Sequence, residues 1–159
     1  MSIILGVDPG FADTGWGVIE VQGGKIKCLG YGSIKTSAKL ELSARLALIY
    51  QELNEILKKF KPQLVAVEKL FFYTNVTTAI AVGQARGVIL LCIEQQKIGL
   101  AEFTPLQVKQ AVASYGKATK SQVQKMVKLI LNLKEIPQPD DAADGLALAI
   151  AAINLCPKN

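Results

Sequence analysis

Residues 3–8 read Ile-Ile-Leu-Gly-Val-Asp; the chain then turns at Pro9-Gly10, and a second apolar stretch, TGWGVIEV, spans Thr14 to Val21. The first run is short, wholly apolar and closed by a carboxylate, which predicts a buried central strand ending in a turn. The second is β-branched and aromatic between its glycines. Gly23-Gly24 separates it from KIKCLGYGSIKT at 25–36, a hairpin signal. Three strands in succession are expected, the second and third antiparallel.

Beyond the hairpin, apolar residues fall at Leu42, Leu46, Ile49, Tyr50, Leu53, Ile56, Leu57 and Phe60, spaced as one face of a long helix that Pro62 ends. Gln63 to Glu68, QLVAVE, is a further apolar run closed by a carboxylate. Strand, helix and strand in this order make a crossover, so the first and fourth strands are expected to be parallel neighbours in a mixed sheet. Residues 75–96 read as a second helix, with Gly83 and Gly87 permitting close packing. Ile98 to Phe103 reads as an edge strand. Thr104-Pro105-Leu106-Gln107 carries a helix cap, a proline for the first turn and the glutamine of a capping box, and Thr119 with Gln122 repeats the box. A last helix is predicted from near Pro139 through DDAADGLALAIAAINL. The expected class is α/β, a mixed five-stranded sheet with flanking α-helices, as one domain over residues 1–159.

Composition narrows the chemistry. Half of the 159 residues are hydrophobic, 19% are charged and the net charge is +5, a folded globule with some preference for a polyanion such as nucleic acid. There is no histidine, and Cys28, Cys92 and Cys156 stand far apart. Serine or cysteine triads that use imidazole are thereby excluded, as is an ordinary zinc site. The scattered cysteines read as small buried residues of a reducing cytoplasm. With no basic leader and no apolar run near the length of a membrane span, a soluble, unprocessed, cytoplasmic protein is expected.

Carboxylates carry the functional signal. Asp8 and Glu68 close two strands expected to be parallel, so both emerge at the sheet edge where open α/β sheets bind ligands. The last helix bears Asp140, Asp141 and Asp144, and Asp144 shares a face with either of the others. Taken singly, Glu68 is an ordinary strand-end charge, and the three aspartates suit a helix N-terminus. Brought together they would repel, and hard divalent cations are the economical remedy. Magnesium, with manganese as a substitute, fits such oxygen ligands, and two ions about 3.5–4 Å apart can activate a water and steady a leaving oxygen.

Between Phe103 and Lys134 the chain holds Lys109, Lys117, Lys120, Lys125, Lys128 and Lys134 and no acidic residue. One-signed charge beside an acidic pocket suits a phosphodiester backbone, although a solvated helix face would look the same. Phe71, Phe72 and Tyr73 follow Glu68 closely and could stack on unpaired bases or pack inward.

Five segments in order, ILGVDPGFADTGWGVIE, LVAVEKLFF, GQARGV, QVKQAVASYGKATKSQVQ and PDDAADGLALAIA, resemble the successive motifs of RuvC-type Holliday junction resolvases from Ile3 to about Ile153. The resemblance implies a ribonuclease-H-like fold, a homodimer and magnesium-dependent cutting of a four-way DNA junction at symmetric positions. It places the catalytic, metal-holding carboxylates on Asp8, Glu68, Asp141 and Asp144, leaving Asp140 as a neighbour. The family's basic residues fall on Lys109 and Lys120 and its junction-contacting aromatic on Phe71, with Lys117 a further DNA-binding candidate from the lysine stretch. It also implies dimerisation through the helix from Val76 to Gln96 and cooperation with a branch-migration helicase complex of the RuvA and RuvB type. Independently, a two-fold junction cut on two strands by chains with one site each calls for a two-fold pair.

Rivals remain at this level. A related nuclease acting on structured RNA would share the chemistry. Sugar-kinase and actin-like ATPases begin with a similar strand, Asp-x-Gly and hairpin, but need two such domains. A module that binds junctions without cutting them has little support, since all four acidic positions are filled.

Overall fold

The computed structural model describes residues 1–69 and 76–155. Its strands are β1 (Ser2–Asp8), β2 (Asp13–Gln22), β3 (Lys25–Lys35), β4 (Leu64–Glu68) and β5 (Gly99–Phe103). They form one five-stranded sheet in the order β3-β2-β1-β4-β5. β1 pairs antiparallel with β2 and parallel with β4, and β4 pairs parallel with β5, which makes the mixed sheet that the hairpin and crossover require.

Alternation along β1 and β4 divides the interior into two layers. Ile4, Leu64 and Ala66 face a core shared with α3 (Pro105–Ala113), α4 (Lys120–Ile130) and α5 (Asp140–Ala151). Leu5, Val7, Val65 and Val67 face the other core, with α1 (Leu42–Phe60) and α2 (Val76–Gln95). Asp8 and Glu68 continue the even-numbered register, so their side chains belong to the layer of α3, α4 and α5.

The helix boundaries follow local chemistry. Thr104 and Thr119 each accept a hydrogen bond from a backbone N–H three residues on, and Gln107 and Gln122 complete both capping boxes. Lys61, at φ 49°, turns left-handed and donates to the Leu57 carbonyl, ending α1 before Pro62. The α1 stripe is narrower than expected: Ile49, Leu53, Ile56 and Leu57 are buried, but Leu42 is 42% exposed on the first turn, in a hollow shared with Leu40 and Ile80. α5 stops at Ala151, short of the predicted end, and a 3-10 turn follows at Ile153–Leu155. Of the cysteines, Cys92 is buried and Cys28 only half-buried, while Cys156 lies outside the described residues.

One contact positions the sheet edge. α5 crosses β1 and β2 so closely that a Cβ on Gly6 would lie 1.9 Å from the Gly145 carbonyl oxygen, and one on Gly15 would lie 1.9 Å from that of Asp141. Only bare backbone on the strands admits the helix at this depth. Gly15→Ala should therefore push α5 outward and destabilise the fold by about 1–3 kcal/mol; denaturant unfolding measures the loss, and wild-type stability in this variant would contradict the packing.

Candidate active site

Asp8 ends β1 beside the first turns of α5, and a carboxylate oxygen of each of Asp8, Asp141 and Asp144 lies within 4.8 Å of the other two. Three residues from opposite ends of the chain thus meet at one point. Glu68, at the end of the neighbouring parallel strand, stands beside Asp8, close enough for the two carboxyl groups to influence each other's charge. Asp8, Glu68 and Asp144 line a cavity of about 250 Å³ together with Lys109, Lys120, Pro105, Val108 and Val123.

The electrostatics are those of crowded anions. Burial pushes the Asp8 carboxyl well above its ordinary 3.8, and the charges of Glu68, Asp144 and Asp141 push it further against the pull of Lys120. Burial and the charge of Asp144 also raise Glu68, against its polar interaction with Asp8 and the charges of Lys109 and Lys120. Asp144 is raised by burial and by Asp141 and Asp140, while the hydrogen bond and charge of Lys120 hold it back.

Lys120 pairs directly with this cluster, its Nζ 3.0 Å from Asp144 Oδ2 and 3.9 Å from Asp140 Oδ2. Burial pulls its ammonium down, but the hydrogen bond and charge of Asp144, with the charges of Asp140 and Asp141, together outweigh it, and the net shift is upward. Lys120 is also the first residue of α4, where the helix dipole disfavours positive charge. Lys120 is thus held against the dipole of its own helix and across from an acidic pair at the cavity.

The cluster suits a metal. Its donors are all hard carboxylate oxygens, with no nitrogen or sulfur ligand among them, and their mutual repulsion is what a divalent cation relieves. Asp140 stands aside: it is exposed, accepts from Gln124 Nε2 at 3.1 Å and faces Lys120.

Lys109, on α3, and Lys120 are therefore brought to the cavity. Lys117 is exposed on the connection between α3 and α4 and does not line the cavity. Phe71, with Phe72 and Tyr73, lies outside the described residues.

The sequence did not single out the residues that brace the turn after Asp8. Thr14 Oγ donates to the Gly10 carbonyl at 2.7 Å, and Thr36 Oγ donates to that of Phe11 at 2.6 Å. Arg45 Nε donates to Thr36 Oγ at 2.9 Å, and its guanidinium lies 3.6 Å above the Phe11 ring. Thr14 is 1% exposed, so its hydroxyl had to find a partner inside the protein. A buried threonine in a strand is ordinary, and no local pattern ties Arg45 to a turn 34 residues away.

In the unfolded chain Asp8 ionises near 3.8, whereas the native chain holds the proton to higher pH. The native state binds more protons in that window, so this group's contribution to metal-free stability falls as pH rises. Asp8→Asn should raise Tm in EDTA at neutral pH, by about 2–4 °C for each kcal/mol of repulsion relieved. It should also remove any gain in Tm that a divalent cation gives the wild type. Calorimetry with and without metal checks both.

The sequence profile of the family described as crossover junction endodeoxyribonuclease RuvC matches residues 4–152. The crossover junction endodeoxyribonuclease RuvC of Halothermothrix orenii is 59% identical over 148 residues, covering 93% of this chain and 90% of that protein. The protein of the same name from Pseudothermotoga lettingae is 50% identical over 147 residues, covering 92% and 91%. The solved structure of Thermus thermophilus RuvC in complex with Holliday junction substrate superimposes with a TM-score of 0.90 at 38% identity, covering 95% of this chain and 92% of the other. The ribonuclease-H-like architecture expected from the motifs is the one observed. With the profile spanning nearly the whole sheet and all of α5, the chain belongs to the RuvC family of crossover junction endodeoxyribonucleases.

Proposed function

We propose that this chain, as a single nuclease domain over residues 1–159, resolves four-way DNA junctions in the cytoplasm as a homodimer that hydrolyses one phosphodiester in each of two symmetric strands. The observation that carries the reading is the meeting of Asp8, Asp141 and Asp144 within 4.8 Å, with Glu68 beside them, in a chain of this family. The Thermus thermophilus relative with its Holliday junction substrate supports the choice of DNA junction as substrate.

Asp8, Glu68, Asp141 and Asp144 would hold magnesium, with two ions per subunit and manganese as a substitute. When bound, such ions supply Lewis acidity at the scissile phosphate and an activated water. The chain itself supplies positioning and charge. Lys109 and Lys120 neutralise phosphate oxygens at the cavity mouth, and Lys120 exchanges Asp144 for phosphate as the strand enters. Lys117 extends the basic surface, and Phe71 is assigned to an unpaired base. Pro105, Val108 and Val123 give the cavity an apolar wall that limits bulk water around the reacting ester.

Dimerisation is supported by α2, which carries exposed Ile80 and Leu91 at 58% and 53% opposite its buried stripe of Ala85, Ile89, Cys92 and Ile93. A Cβ on Gly87 would meet nothing within 4 Å in this chain, leaving that face open to a partner helix. Delivery of the junction by a branch-migration complex of the RuvA and RuvB type is the expected context.

Incubation with magnesium and a synthetic four-way junction, a linear duplex or a structured RNA tests the assignment. Paired nicks confined to the junction are expected, and cutting of the RNA instead would redirect it. Asp8→Asn, Glu68→Gln, Asp141→Asn and Asp144→Asn should each abolish cutting while junction binding survives, because removing anionic charge does not weaken attraction to phosphate. Loss of both activities would count against these roles. Lys109→Ala and Lys120→Ala should weaken binding and lower the slope of log K against log salt by about 0.9 for each phosphate no longer neutralised; filter binding across salt concentrations reads that slope.

A further inference from the structure

Behind the cavity, on the far side of the sheet, lies a largely buried cation. Arg86 sits midway along α2, next to the buried Ala85, and its side chain is only 20% exposed. Its Nε donates to the backbone carbonyl of Glu68 at 3.2 Å, and its terminal nitrogen pairs with Glu102 on β5. One guanidinium thus joins the ends of two adjacent strands to a helix on the opposite face of the sheet from the carboxylate cavity.

Glu68 needs such a hold. The last β1–β4 pair is Val7↔Val67, so Glu68 stands one residue past the ladder to β1, and β4 itself is only five residues long. Its carboxylate is pushed by the charge of Asp144, and, among the described residues, the backbone past it is held on the β5 side alone, where the Lys69 N–H donates to the Phe103 carbonyl at 2.7 Å. On the other flank Glu102, opposite Val67, and Phe103, opposite Glu68, end β5. Arg86 spans the β4–β5 pair, taking the Glu68 carbonyl with Nε and the Glu102 carboxylate with the outer nitrogen. The planar fork of arginine can satisfy two acceptors at fixed separation, which a lysine ammonium on a single flexible stem does not reproduce.

We propose that Arg86 is a positioning residue for Glu68: by tying the Glu68 carbonyl to Glu102 and α2, it holds the strand end that aims the Glu68 carboxylate into the divalent-ion cluster. The proposal rests on the nuclease reading of that cluster. Arg86 touches neither substrate nor ion; it acts through Glu68. Supports of this kind behind a ligand change metal affinity or activity by about 10–100-fold when removed.

The test uses the full chain with Arg86→Met, Arg86→Lys and Glu102→Gln. Three quantities are measured: binding of manganese by electron paramagnetic resonance without DNA, single-turnover cutting of a four-way junction, and junction affinity in EDTA. For Arg86→Met the expected result is manganese binding and cutting rate each weakened by about 10-fold or more, with junction affinity changed less than about twofold. Glu102→Gln, which keeps both Arg86 and Glu68, should shift manganese binding in the same direction, and Arg86→Lys should recover only part of it. Unchanged manganese binding in Arg86→Met or in Glu102→Gln overturns the proposal, as does a loss confined to junction affinity. Should Arg86→Met fail to fold, Glu102→Gln decides alone. If wild type binds manganese in a manner abolished by Asp8→Asn yet cuts no junction, the nuclease reading falls while the role of Arg86 is still read from manganese binding.

Discussion

Helix α5 rests on bare backbone where Gly6 of β1 and Gly15 and Gly17 of β2 offer no side chain, and Gly145 offers none in return. That contact sets the depth of the helix and therefore the height of its first two turns above the sheet edge. Asp141 and Asp144 reach Asp8 only because of it. A methyl group at any of these positions would thicken the interface and carry two carboxylates away from the third.

The same closeness creates an electrostatic problem that the local sequence does not resolve. Burial raises a carboxyl's proton affinity and neighbouring like charges raise it further, and in this chain Asp8, Glu68 and Asp144 all shift upward. Lys120 offsets part of the repulsion from the first turn of α4, where its charge opposes the helix dipole. Both features cost stability, and both sit at the cavity beside the carboxyl ends of β1 and β4.

Around the cluster, backbone supports come from the opposite layer. Arg45 on α1 braces the turn that follows Asp8, and Arg86 on α2 engages the carbonyl of Glu68. Each strand end that carries an acidic side chain toward α5 is thus held from behind by an arginine from the other face. The two layers are mechanically joined at the site although their hydrophobic cores are separate.

Much of this is legible from sequence because it depends on short-range pattern. Apolar runs closed by Asp8 and Glu68, the glycine turn of the hairpin, the paired capping boxes and the acidic start of α5 are local signals, and strand–helix–strand order limits how β1 and β4 can pair. Periodicity overstates the α1 stripe at Leu42, because it identifies a helical face but not how much of its length the sheet covers. Packing decided the rest. Which of Asp140 and Asp141 turns inward, where Lys120 finds its partners, and that Arg45 and Arg86 brace the two strand ends all depend on contacts between residues distant in the chain. Those contacts exist only once the glycine stripe has set how closely α5 approaches the sheet.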